Sequence, residues 1–245
     1  MKRVHLIAAG KYHDIDFARL ELLKLLAERP EVRSTVAAGY GDGALIEAAD
    51  LLITYTCDLV PGAEELPALQ AFLARGGRWL ALHGTNSILH FAADGSVETP
   101  DDAPEFMEML GTQFIAHPPI GPFKVQVTRG DHPVTQGLRA FSVIDELYLM
   151  RRTAPIEVLL HTSFSGPCPD FGNRHFSDEE IPVLYERQVG EGTILYCTLG
   201  HCRGHYDLAP IRAYNPHPDR CSWNYPVYYE ILRRGIAWGL DSPDA

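Results

Sequence analysis

The sequence predicts an α/β domain on a mainly parallel sheet with an antiparallel extension. Three observations carry this expectation. Short apolar runs alternate with helical periodicity through the first half, the run from Trp79 to Leu82 is apolar on both faces, and the second half is rich in strand patterns. At 245 residues the chain has the length of one such domain, and no linker divides it, so residues 1–245 are read as a single unit.

Val4 to Ala9 reads as the first buried strand. Phe17, Leu20, Leu23 and Leu26 then recur at helical spacing until Pro30 stops the helix, which completes one βα unit. Val32 to Ala38 gives a second strand and Leu51 to Tyr55 a third. A helix from Glu64 to Ala74 follows, ended by Gly76-Gly77, and Trp79 to Leu82 is the fourth strand. Strands joined through helices imply parallel pairing with right-handed crossovers. Further on, Phe123–Val127, Ser142–Met150, Ile156–Leu160, Ile181–Gln188 and Thr193–Thr198 read as strands, several with period-two alternation. Ser163 to Glu180 contains Gly166, Pro167, Pro169 and Gly172 without periodicity and reads as a long surface loop. Tyr225 to Leu240 closes the chain as an amphipathic helix, with Val227, Ile231, Ile236 and Trp238 toward the core.

Composition narrows the function. There are 21 Lys plus Arg against 32 Asp plus Glu, a formal net charge of -11, and no basic cluster, which argues against nucleic acid as a partner. The apolar run after Met1-Lys2-Arg3 is too short for a signal peptide, and no stretch approaches the roughly 20 apolar residues of a membrane span. A cytoplasmic protein with no membrane partner is expected. Five scattered cysteines without a CxxC pair suit reduced thiols and give a finger-type zinc site no support.

His83 is the most informative residue. It ends the Trp79–Leu82 run and precedes Gly84-Thr85, where a strand turns sharply into a helix at the sheet edge that binds ligands in α/β folds. Such an elbow usually holds a Ser or Cys nucleophile. An imidazole there suits proton transfer or metal ligation, and a hydrogen bond inside a tight turn is the structural alternative. His201 follows another apolar run through Leu199-Gly200, with His205 four residues on. His117 precedes Pro118-Pro119 in a stiff segment, so it either projects toward the crevice or packs. His132 lies in a turn-forming Asp-His-Pro string and is read as structural. Asp145 and Glu146 point to opposite faces of their strand, so one at most looks into a site and the other is expected at a solvated edge. His5, His13, His90, His161, His175 and His217 join no constellation in the sequence.

Several motifs together resemble the ThuA-like family, named for trehalose utilisation. They are Ala81-Leu82-His83-Gly84-Thr85, Phe114-Ile115-Ala116-His117-Pro118, Asp131-His132-Pro133 through Gly137-Leu138, Asp145-Glu146-Leu147-Tyr148 and Tyr196-Cys197-Thr198-Leu199-Gly200-His201. Their order covers nearly the whole chain. The resemblance implies the flavodoxin-like three-layer α/β/α fold of class I glutamine amidotransferases, in which the elbow carries a catalytic Cys and a late strand ends in a catalytic His. Here His83 stands at the elbow and His201 at the late strand, so the crevice is kept and the thiol is not. Cys57 and Cys202 are the residues that could supply a displaced thiol.

The resemblance also implies a carbohydrate substrate, through the family's link to trehalose catabolism by way of keto-sugars. A ketone acidifies the neighbouring C–H bonds, so an imidazole could act as base in isomerisation or elimination. The expected catalytic groups are His83, His201 and Glu146, with Thr85, His117, Asp145, Tyr148, His205 and Trp223 as substrate-binding groups. A divalent metal such as Zn, held by His83, His117 and His201 with one of Asp145 or Glu146, is the expected cofactor if there is one. Late aromatics such as Tyr206 and Trp223 would stack on a sugar or merely pack. Two other readings stay open: a non-catalytic sugar-binding or regulatory module, and a Cys-dependent hydrolase. A homo-oligomer is compatible with the sequence.

Overall fold

The computed structural model describes residues 1–93, 95–172, 174–204 and 217–241. Four strands and three helices alternate first: β1 (Lys2–Gly10), α1 (Ile15–Ala27), β2 (Val32–Ala37), α2 (Gly43–Ala48), β3 (Leu51–Cys57), α3 (Leu66–Ala74) and β4 (Arg78–Leu82). A 3-10 turn, His83–Asn86, follows β4. Next come the short strands β5 (His90–Phe91) and β6 (Val97–Glu98), then α4 (Pro104–Leu110), β7 (Thr112–Ala116), β8 (Gly121–Val127), β9 (Phe141–Asp145) and β10 (Leu149–Arg152). The chain closes with β11 (Glu157–Cys168), β12 (Arg174–Val189), β13 (Gly192–Cys197) and α5 (Pro226–Leu240).

Nine strands form one sheet in the order β2-β1-β3-β4-β13-β12-β11-β8-β9. The first five pair in parallel, in the flavodoxin-like sequence of positions, and the other four are antiparallel, as the sequence predicts. β3 is buried at every residue and β4 at four of five, because helices cover both faces. Helices α1 and α5 pack Leu22, Leu25, Ile231 and Ile236 on one face. Helices α2, α3 and α4 pack Ile46, Leu69, Phe72 and Phe106 on the other. Each such side chain, fully buried, contributes about 1.5–3 kcal/mol of apolar transfer.

Some expectations are corrected. The buried stripe of α1 is Ala18, Leu22, Leu25 and Leu26, while Leu20 is exposed. A strict spacing of three drifts round a helix of 3.6 residues per turn, whereas steps of four, three and one keep to one face. Ser142–Met150 is not one strand: β9 pairs with β8 in the large sheet, and β10 pairs with β7 in a separate two-stranded sheet. Ser163–Glu180 is not a loop. It forms the outer part of the β11–β12 hairpin, with Gly166 opposite Phe176 and Pro167 opposite His175. Most of that ribbon is solvated, so hydrophobic alternation is lost, and a register shift between Phe164 and Gly166 takes up the Gly-Pro step. Among the described residues, no helix is long and apolar enough to cross a membrane.

Candidate active site

The parallel strands end level with one another. Gly10 pairs with Cys57, Tyr55 with Leu82, and Leu82 with Cys197, so the residues after β1, β3, β4 and β13 share one edge of the sheet. Backbone strain collects along that edge. Tyr12, Asp58, His83 and Cys221 have φ of +66°, +51°, +44° and +37°, a region costly for side-chain-bearing residues that persists where the surroundings enforce it. At His83 the enforcement is visible. Its carbonyl accepts from Tyr196 Oη at 2.6 Å, and the next residue, Gly84, lies so close to β3 that a Cβ would sit 2.6 Å from Thr56 O.

The strained turn drives His83 inward, where it is fully buried. Its Nδ1 is 2.7 Å from Thr198 O, an acceptor only, so Nδ1 carries a proton and Nε2 faces the site. His13 arrives from the loop after β1. Asp14 fixes it by capping α1 through Phe17 N and donating its own N–H to Cys202 O. His13 Nδ1 contacts Lys11 O at 3.2 Å, and Nε2 lies 2.9 Å from His83 Nε2. Burial, reinforced by His83 and His201, holds the His13 pKa well below the ordinary histidine value.

His201 is placed by Asp145. The buried Asp145 carboxylate accepts from Gly200 N at 2.8 Å, His201 N at 3.1 Å and Glu146 N at 2.8 Å. Asp145 is therefore no solvated edge: it is the backbone anchor of the late-strand loop. Burial pushes its carboxyl upward, while His83, Ser222 and the Gly200 N–H act in the opposite direction. Glu146 turns the other way and enters the centre. Its Oε2 lies 3.2 Å from His201 Nδ1 and 3.6 Å from His83 Nε2, and its Oε1 lies 3.2 Å from His117 Nε2. Burial alone would raise this carboxyl, but His117, His201 and His83 together hold it well below the usual range, so it is ionised. His117 Nδ1 lies 2.8 Å from Pro118 O, so both its nitrogens face oxygen acceptors, a pattern that the protonated ring satisfies in full.

Above this floor opens a cavity of about 770 Å³. His13, His117, Glu146, Tyr148 and His201 lie at its base, and Phe91, Phe114 and Phe171 form apolar walls, with Asp170 and Arg203 as polar groups. Tyr148 also packs its ring 4.3 Å from that of His83. All five cysteines are free and buried; burial lifts the Cys57 thiol well above its ordinary value and the Cys202 thiol to about 12.

The ThuA family profile, described as trehalose utilisation, matches residues 6–214. The chain belongs to the ThuA family. Two solved ThuA-like proteins share its fold. The one from Parabacteroides merdae is 16% identical with a TM-score of 0.69, over 98% of this chain and 90% of that one. The one from Bacteroides uniformis is also 16% identical, with a TM-score of 0.68 over 100% and 94%. The fold also resembles part of a β-galactosidase from Rahnella sp. R3, at 12% identity and TM-score 0.57, over 99% of this chain and 32% of that enzyme. None of the curated proteins matches the sequence.

In this ThuA family member, His83, His201, Glu146, His117 and Tyr148 meet around one centre. Thr85 and Trp223 do not line the cavity. Thr85 Oγ1 donates to Leu82 O at 2.8 Å inside the 3-10 turn, and Trp223 donates Nε1–H to Gly200 O at 2.8 Å from within the core. His205 lies outside the described residues, as does Tyr206. His132 contacts Glu186 at 3.1 Å and does not line the cavity, as a structural reading expects. The residue that sequence reasoning missed is His13. The signal was present: His13 follows the end of a buried parallel strand, as His83 does, and β1 borders the position where the strand order reverses.

Proposed function

We propose that this ThuA family member is a carbohydrate enzyme that moves a proton on a keto-sugar, with Glu146 and His117 as the working acid/base pair. The observation that carries this reading is an ionised, buried carboxylate ringed by imidazoles at the floor of a cavity with aromatic walls. Aromatic faces suit the C–H faces of a pyranose, and the floor suits a carbon acid. Glu146 takes the proton from the carbon beside the ketone. The electron pair moves into the new C=C bond, and the carbonyl oxygen becomes an enolate oxygen that accepts the His117 proton. When the hydroxyl on the deprotonated carbon gives up its proton and the former carbonyl carbon takes one from Glu146, the product is an isomer; when the enolate re-forms its C=O and a β-substituent leaves with the electron pair, the product is an elimination product. The apolar walls keep water from the intermediate. A thiol-dependent hydrolysis has no support, because the buried cysteines stay protonated.

The test is incubation of the protein with 3-ketoglucosides in heavy water, followed by NMR. Deuterium is expected at the carbon next to the ketone, and Glu146→Gln is expected to slow its appearance by about 10²–10⁴-fold. If no exchange exceeds the enzyme-free rate across a panel of keto-sugars, while those sugars still raise the melting temperature, the protein is a sugar-binding module instead.

A further inference from the structure

We infer that His13, His83, His201 and Glu146 form a binding site for one first-row divalent cation such as Zn²⁺, with His13 as a ligand and His117 outside the ligand set. One donor atom from each of the four lies within 4.8 Å of all the others, and all four residues are buried. The decisive contact is between His13 Nε2 and His83 Nε2, 2.9 Å apart. Each ring places Nδ1 on a backbone carbonyl, Lys11 O or Thr198 O, which can only accept. In the neutral rings both Nε2 atoms therefore present lone pairs to each other, an arrangement that repels unless a proton or a metal cation lies between them. A nitrogen ligand whose other N–H is tied to a carbonyl is the usual second-sphere pattern of metal-binding histidines.

His201 supplies an independent observation. It is fully buried, and among the described residues neither ring nitrogen has a hydrogen-bond partner, although Nδ1 sits 3.2 Å from Glu146 Oε2. A buried imidazole without a hydrogen bond costs free energy that ligation would recover. Around a tetrahedral ion with bonds of about 2.0–2.2 Å, donors stand about 3.3 Å apart, close to the 2.9, 3.2 and 3.6 Å separations here. Imidazole with one carboxylate suits zinc and its neighbours better than magnesium or calcium. His117 reaches only the other oxygen, Oε1, and so orients Glu146. When bound, such an ion would polarise a ketone oxygen.

This inference concerns the site of the proposed enolisation but does not depend on that chemistry. Full-length protein stripped with chelator is dialysed against Zn²⁺ or Co²⁺, and metal is counted per chain. One equivalent is expected, with visible Co²⁺ absorption of a four- or five-coordinate nitrogen-containing site and a raised melting temperature. His13→Gln and His83→Gln should each weaken Co²⁺ binding beyond the about 10–100-fold typical of losing an outer partner, with circular dichroism reporting the fold. His117→Ala should keep the stoichiometry at one. If the stripped wild type takes up no Co²⁺ at tens of micromolar, or His13→Gln binds as tightly as wild type, the inference is overturned and the 2.9 Å contact is a shared proton. Metal binding without deuterium exchange would sink the enolisation alone, and exchange in metal-free protein would leave enolisation standing without the ion.

Discussion

At the scale of single residues, the adjacent pair Asp145 and Glu146 divides one task into anchoring and chemistry. Asp145 holds three backbone N–H groups, two of them in the loop that presents His201. Asn at 145 keeps one acceptor oxygen and turns an NH₂ toward donors, so Asp145→Asn should lose about 1–3 kcal/mol of stability at neutral pH, read by urea unfolding. A solvated edge carboxylate would give a change near zero. The alternation of side chains along a strand was enough to say that only one of the two faces the centre. It could not say that the other is buried, because burial there is imposed by Gly200 and His201, more than fifty residues away in sequence. His13 escaped for the same reason: what gives it meaning is His83, seventy residues along, and sequence alone does not bring them together. His83 itself was legible because its context is local, an apolar strand run followed at once by glycine.

At the scale of elements, the loops at the carboxyl edge are shaped by close approaches that only glycine permits. Gly200 has φ +116°, and a Cβ there would lie 2.2 Å from Tyr228 Oη on α5, whose own hydroxyl bonds Leu199 O. Gly137 also has a positive φ, +75°, but a Cβ there meets nothing within 4 Å. Gly137→Ala should therefore cost about 1 kcal/mol of backbone strain, and Gly200→Ala clearly more, because the loop or α5 must shift as well. Thermal unfolding of the two variants side by side checks this; equal shifts would show that the approach to Tyr228 matters little. The parallel strands were legible because burial on both faces leaves continuous apolar runs. The β11–β12 ribbon was hidden because its pairing rests on backbone hydrogen bonds between solvated segments, which leave no apolar period. Its turn nevertheless reaches the site, since Phe171 packs 4.9 Å from His117.

At the scale of the whole molecule, the two halves of the sheet meet where the chemistry is. Strands β1, β4 and β13 deliver three histidines from the parallel half, while Glu146 and His117 come from the irregular segments after β9 and β7. This assembly is built on an interior that tolerates few charges, and His5 shows what acid does to it far from the site. His5 lies buried on β1, with Nδ1 2.7 Å from Thr35 Oγ1 and Nε2 without a partner among the described residues. Burial lowers its pKa, with Asp42 opposing weakly, so the native state resists a proton that the unfolded chain accepts near pH 6.5. The unfolded state then binds more protons, and stability rises with pH across this window. The contribution is fully present above about pH 6.5 and is lost as pH falls below it, by up to about 1.4 kcal/mol per pH unit while His5 resists. His5→Phe removes the titrating group and should flatten that slope between pH 7 and pH 5.5 in urea unfolding, in protein kept metal-free so that the centre does not contribute its own dependence. An unchanged slope in His5→Phe would place the acid sensitivity elsewhere, in the histidines of the site.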